Sequence, residues 1–89
     1  MDIEARIRRF VAETLLFSGD GFDYSDDASF LESGIIDSVG VMDLVTFVQS
    51  SFGLAVNSSE ITPDNFDSVN KLAGYIRRKL SVWRAAPRA

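Results

Sequence analysis

The chain has 89 residues, a formal net charge of −4, and neither cysteine nor histidine. That length makes one small domain, able to bury about 60–65% of its unfolded surface and of modest stability. Without cysteine there are no disulfides, thiolate zinc sites or thiol nucleophile; without histidine the Ser-His-Asp triad and most transition-metal sites are excluded.

The charge is unevenly distributed. All nine basic residues (Arg6, Arg8, Arg9, Lys71, Arg77, Arg78, Lys79, Arg84 and Arg88) lie near the two ends. Eleven acids, from Glu13 to Asp67, fall between Phe10 and Asn70, where there is no base. Such a surface repels nucleic acid and anionic lipid and attracts basic protein partners. The competing explanation is that acidity only keeps a small domain in solution. No apolar run approaches the roughly 18–20 residues of a membrane span, and Met1-Asp2-Ile3-Glu4 lacks the shape of a signal peptide. A cytoplasmic monomer is the expectation.

In chain order, Asp2 to Phe17 predicts a first helix. Ile3, Ile7, Phe10, Val11, Thr14 and Leu15 recur at steps of three and four, with Asp2 as the cap. Ser18 to Asp37 has no regular period, which is long for a connection inside a compact domain. Phe22, Tyr24, Phe30, Leu31, Ile35 and Ile36 are expected to anchor it, with a short helical turn near Ser29 to Glu32. Asp20, Asp23, Asp26 and Asp27 invite a calcium reading, but their spacing does not match an EF-hand loop. From Ser38 the helical period returns: Leu44, Val48 and Phe52 form an inward stripe with Val45 beside it, and Gly53 closes the helix. A brief third segment opens at Asn57 and runs to Pro63 or just beyond. Asp67 or Ser68 caps a last helix whose apolar positions are Val69, Leu72, Ala73, Ile76, Leu80 and Trp83. The expected fold is all-α: a small four-helix bundle, three helices long and one short, with a long loop between the first two. Residues 1–84 form the domain and 85–89 a frayed tail.

Chemistry centres on Ser38, a hydroxyl at a helix mouth. Three readings of the residues compete. Asp37 and Ser38 are both good N-caps, worth about 0.5–2 kcal/mol each way. A hydrolase elbow wants glycines two residues on either side of the serine; position 36 is isoleucine and only Gly40 matches. An anion site at the helix start is opposed by the surrounding acids, since the dipole contributes only about 0.3–1 kcal/mol. A covalently attached phosphate would overcome that repulsion.

Phe30-Leu31-Glu32-Ser33-Gly34-Ile35-Ile36-Asp37-Ser38-Val39, followed by an apolar helix ending in Phe52-Gly53, resembles the phosphopantetheine-attachment region of acyl and peptidyl carrier proteins. The order of helices and the acidic loop follow that family over nearly the whole chain. The resemblance implies that Ser38 accepts 4'-phosphopantetheine from coenzyme A, transferred by a separate magnesium-dependent phosphopantetheinyl transferase. Asp37 matches the acidic residue that assists transfer at the metal. A cargo then rides as a thioester, so the chain performs no chemistry itself. The further implied partners are an adenylate-forming ligase or an acyl synthase or transferase. The expected partner contact runs over Val39, Gly40, Val41, Met42 and Asp43, apolar more than charged if Val41 and Met42 are partly exposed.

Many fatty-acid carriers have Asp-Ser-Leu and then an acid; this chain has Asp37-Ser38-Val39-Gly40, and its second helix holds only Asp43. Asp-Ser-x-Gly resembles the D-alanyl carriers and related stand-alone carriers, favouring a specialised cargo such as an amino acid or unusual acyl group. Drift at a tolerant position is the other explanation for Gly40. The alternative function, from a different class, is an unmodified acidic helical adaptor that binds a basic partner.

Overall fold

Residues Ile3, Ile7 and Val11 line the inner side of the first helix in a computed structural model that describes residues 2–17 and 21–85. Helix α1 runs Ile3–Phe10 and continues as a π-helical turn at Val11–Leu15. Asp2 caps it as expected, its Oδ1 accepting from the Ala5 N–H at 2.9 Å. The π turn is a departure from the expected single α-helix. Its cause is visible in the spacing: Ile3, Ile7, Val11 and Leu15 are four apart, and each such step overshoots one α-helical turn by about 40°. A wider turn takes up the drift, and Leu15 and Leu16 still pack against the core.

Helix α2 spans Ser38–Phe52 and ends at Gly53, whose φ of 66° is the left-handed closure expected of glycine there. Leu44, Val45 and Val48 are buried, while Phe52 is half-buried beneath the Arg6 guanidinium, 4.4 Å from the ring centroid. Phe47 of α2 stacks on Phe10 at 4.3 Å, joining α2 to α1. The brief third segment divides in two: a 3-10 turn at Ser58–Glu60, then α3 at Pro63–Phe66. Thr62 is extended and Pro63 starts the helix instead of ending one, because its fixed φ and missing N–H suit a first turn. Helix α4 covers Val69–Ala85 and buries Val69, Leu72, Ala73, Tyr75 and Ile76. Ser68 is its cap, accepting from the Lys71 N–H at 3.0 Å while buried in the core.

The described residues are helical with no strand, and form the four-helix bundle expected, three helices long and one short. The expected inward position of Trp83 lies outside the described side chains; of the tail expected to fray at 85–89, Ala85 is instead the last residue of α4, and 86–89 lie outside the described residues.

The long first connection is tied down by side chains. Arg8 donates to both oxygens of Asp26, at 2.8 and 2.6 Å. The Asn70 N–H donates to the Asp26 carbonyl (3.0 Å) and its Nδ2 to Asp27 Oδ1 (2.7 Å). Two of the aspartates behind the calcium reading are thus engaged by Arg8 and Asn70; Asp20 lies outside the described residues. No group of His, Cys, Asp or Glu among the described residues could hold a metal ion. Of the expected anchors, Phe30, Ile35 and Ile36 are buried and Phe22 packs against the core. Tyr24 and Leu31 are instead exposed, since the turn that follows faces Leu31 outward.

Candidate functional site: the start of helix α2

The chain reaches Ser38 through a tight turn. The Ser33 N–H donates to the Ser29 carbonyl (3.0 Å) and the Gly34 N–H to that of Leu31 (3.2 Å). Gly34 has φ of 70°, and beyond it the N–H groups of Ile35 and Ile36 both donate to the Phe30 carbonyl, at 2.9 and 3.1 Å. This is the helical turn expected near Ser29 to Glu32. Asp67 clamps it from below: its Oδ1 accepts from the Leu31 N–H (3.1 Å), its Oδ2 from the Ser29 hydroxyl, and its carbonyl from the Phe30 N–H (2.8 Å). With Phe30, Ile35 and Ile36 in the core, the next residues must emerge at one fixed place.

Asp37 and Ser38 part company there. Asp37 is the cap, its Oδ1 accepting from the Gly40 N–H at 2.8 Å. Ser38 is the first helical residue, exposed, and its hydroxyl makes no hydrogen bond among the described residues. No histidine exists to activate it. The nearby carboxylates of Glu32 and Asp43 are exposed and make no ion pair among the described residues.

Arg8, Arg9, Arg77 and Lys79 are paired elsewhere. Arg77 binds both oxygens of Glu4 at 2.6 Å, and its hydrogen bond holds the Glu4 carboxyl down to about 2. Lys79 pairs with Glu60 at 3.0 Å; the Asn57 N–H first, then Lys79, keep Glu60 below its ordinary range. Tyr75 donates to the same carboxylate (3.1 Å), and burial, reinforced by Glu60, pushes its phenol up to about 12. These pairs join α1 and the 3-10 turn to α4, and leave the field around Ser38 negative.

The five residues expected to meet a partner are split by the fold. Val39 is 72% and Met42 55% exposed, and Asp43 is exposed with them. Val41 is half-buried and lines an apolar cleft of about 130 Å³ with Phe30, Leu31, Ile61 and Phe66. Gly40 is buried: a Cβ there would stand 2.5 Å from Ile36 Cγ2. Position 40 is therefore closely packed, and the tolerant-drift explanation for its glycine fails.

Comparison with known proteins places this geometry. The family described as the phosphopantetheine attachment site matches residues 5–76. The chain belongs to that family. It is 31% identical over 78 residues to the D-alanyl carrier protein of Lactobacillus delbrueckii subsp. bulgaricus, covering 88% of this chain and 94% of that one. It is 32% identical over 72 residues to the D-alanyl carrier protein of Streptococcus thermophilus, covering 81% and 87%. A chain in a crystal structure described as that of an FAD-dependent dehydrogenase superposes with a TM-score of 0.66 at 30% identity, over 78% of this chain and 96% of that one.

The chain is thus a carrier of acyl or aminoacyl groups on a 4'-phosphopantetheine prosthetic group, non-catalytic in itself and dependent on partner enzymes. The local chemistry fits that group: Ser38 offers a hydroxyl that neither capping nor packing has claimed. Bound at such a hydroxyl, phosphopantetheine would supply a terminal thiol. No helix among the described residues is long and apolar enough to cross a membrane. Two features of the site were missed by reading residues alone, the Asp67 clamp and the packing of Gly40. The first left a trace, since Asp67-Ser68 offers two caps for one helix.

Proposed function

We propose that Ser38 is the attachment point and that this carrier serves an aminoacyl-type cargo. One observation supports the attachment most directly: Asp37 occupies the cap, leaving the Ser38 oxygen exposed and without a partner among the described residues. In the transfer, that oxygen bonds to phosphorus in the coenzyme A pyrophosphate as the P–O–P bond breaks. The adenosine bisphosphate leaves and the serine proton passes to the separate, magnesium-dependent transferase. Asp37, whose Oδ2 is not used by the cap, assists at the metal. A phosphate held covalently withstands the acidic surroundings that would disperse a free one.

The D-alanyl carrier relatives support an amino acid loaded by an adenylate-forming ligase in the cytoplasm. Val39, Met42 and Leu31 are large apolar groups exposed around Ser38, and they support partner contact that is more apolar than ionic. A second partner class, a flavin oxidoreductase acting on the carried group, is favoured by the likeness to the chain in the dehydrogenase crystal structure.

The test is direct. Incubating the chain with coenzyme A, magnesium and a broad-specificity transferase should add one phosphopantetheine mass, and Ser38→Ala should abolish this while remaining folded. Intact-mass measurement showing no addition with several transferases, or full addition to Ser38→Ala, refutes the attachment site. Loading the product with candidate ligases and substrates then identifies the cargo by mass.

A further inference from the structure

Two concavities flank Ser38 and differ in chemistry. The cleft toward α3 is almost wholly apolar, and its one carboxylate, Asp67, already accepts from Ser29 and Leu31. On the other side, between the π turn and α2, lies a groove of about 340 Å³ lined by Thr14, Phe17, Ile35, Asp37, Val39 and Asp43, among others. The residues on both sides of Ser38 therefore border this groove.

Its rim is built at a cost. Phe17 is the one non-glycine residue among the described residues at positive φ, 53°, and its ring is 85% exposed. A bulky residue is strained in that conformation, which persists where the surrounding structure requires it. The π turn, which ends two residues before it at Leu15, is a feature frequent at functional sites.

The geometry points to this groove on the α1 side as the seat of the phosphopantetheine arm, an inference that rests on attachment at Ser38. The arm carries a dimethyl-substituted carbon, a hydroxyl and two amides. Its methyl groups call for apolar walls, which Phe17, Val39 and Ile35 provide. Its N–H and O–H donors call for open acceptors. The Asp43 carboxylate and the Thr14 hydroxyl make no hydrogen bond among the described residues, and Asp37 Oδ2 is unused by the cap. In the apolar cleft the only carboxylate is already engaged and the Thr62 hydroxyl is the one open side-chain acceptor, against Asp37, Asp43 and Thr14 on the α1 side, so most of the arm's donors would go unpaired there. Phe17 is thus a positioning residue for the arm.

The full chain, isotope-labelled, is compared before and after loading by transferase with coenzyme A and magnesium, with loading verified by intact mass. Amide shifts at Phe17, Ile35 and Asp43 should move more than those at Leu31, Ile61 and Phe66. Isotope-filtered spectra should show contacts from the arm's methyl protons to the Phe17 ring. In Phe17→Ala those contacts disappear and the Ile35 and Asp43 shifts return at least halfway toward the unloaded values, with loading still complete. Asp43→Ala, at an exposed position, should reduce the shift at Thr14 in the same way. On fully loaded protein, changes confined to residues 37–40 or running along the α3 side overturn the inference. Absence of added mass overturns instead the attachment on which it rests.

Discussion

Replacing Gly40 with alanine should destabilise the protein although it improves helix propensity. The new Cβ would lie 2.5 Å from Ile36 Cγ2, about 1 Å closer than the 3.5–4.0 Å of a comfortable carbon contact. Ile36 has little room to yield: it is 4% exposed, β-branched, and its N–H is held at 3.1 Å by the Phe30 carbonyl. Overpacking of this kind costs about 1–3 kcal/mol, against a propensity gain of at most about 1 kcal/mol, smaller so near a helix start. The net loss is about 1–2 kcal/mol. With a urea m-value near 1 kcal/mol/M for so small a domain, the unfolding midpoint should fall by ~1–2 M. Ile36→Leu moves the branch from Cβ to Cγ and removes the colliding methyl. The double variant should recover part of the loss, with a coupling of about 0.5–2 kcal/mol in the cycle. A midpoint that rises in Gly40→Ala alone would show that position 40 is open and that the packing argument is wrong.

Separating cap from charge at Asp37 gives a second test: Asp37→Ala should cost about 0.5–2 kcal/mol by denaturant unfolding, while Asp37→Asn keeps most of the stability yet slows phosphopantetheine transfer. Ser38→Ala should change stability by less than about 0.5 kcal/mol, because the cap lies elsewhere. The carboxyl of Glu4 lies at about 2 in the folded chain, below its ordinary value of about 4.3. Its contribution is therefore complete above that ordinary value and lost as pH falls through about 2; Glu60 and Asp26 are lowered too and act in the same direction. Urea midpoints measured between pH 6 and pH 2 should fall, and fall less steeply in Glu4→Gln. Tyr75, raised to about 12, gives an alkaline counterpart, with stability full below about 10 and lost through about 12. Asp67→Ala strips two acceptor contacts from the turn before Ser38; amide exchange at Leu31 should speed up at least tenfold while α4, capped by Ser68, keeps its protection.

Helix positions, caps and the family were legible from residue order because each depends on neighbours within a few positions. Asp2, Gly53 and the apolar repeats of α2 and α4 act through backbone geometry that a short window determines. The Asp-Ser start of α2, set between a glycine turn and an apolar helix, is local in the same sense. That is why Ser38 stands out from residue order alone.

Tertiary structure decided what depends on distant partners. The Asp67 side chain does not cap α4 because Ser29 and Leu31, more than thirty residues away, take its oxygens. Gly40 is required by the methyl of Ile36 and not by its own backbone, which no propensity scale registers. Val39, Gly40, Val41, Met42 and Asp43 read as one uniform stretch, but helical rotation against the core exposes three, half-covers one and buries the glycine. The acidic middle was plain from composition; that Arg8, Arg77 and Lys79 are drawn into pairs with Asp26, Glu4 and Glu60 required the folded chain. Sequence sets the conformation each short segment prefers, while packing, which brings residues far apart in the chain within ångströms, decides which groups remain available to a partner.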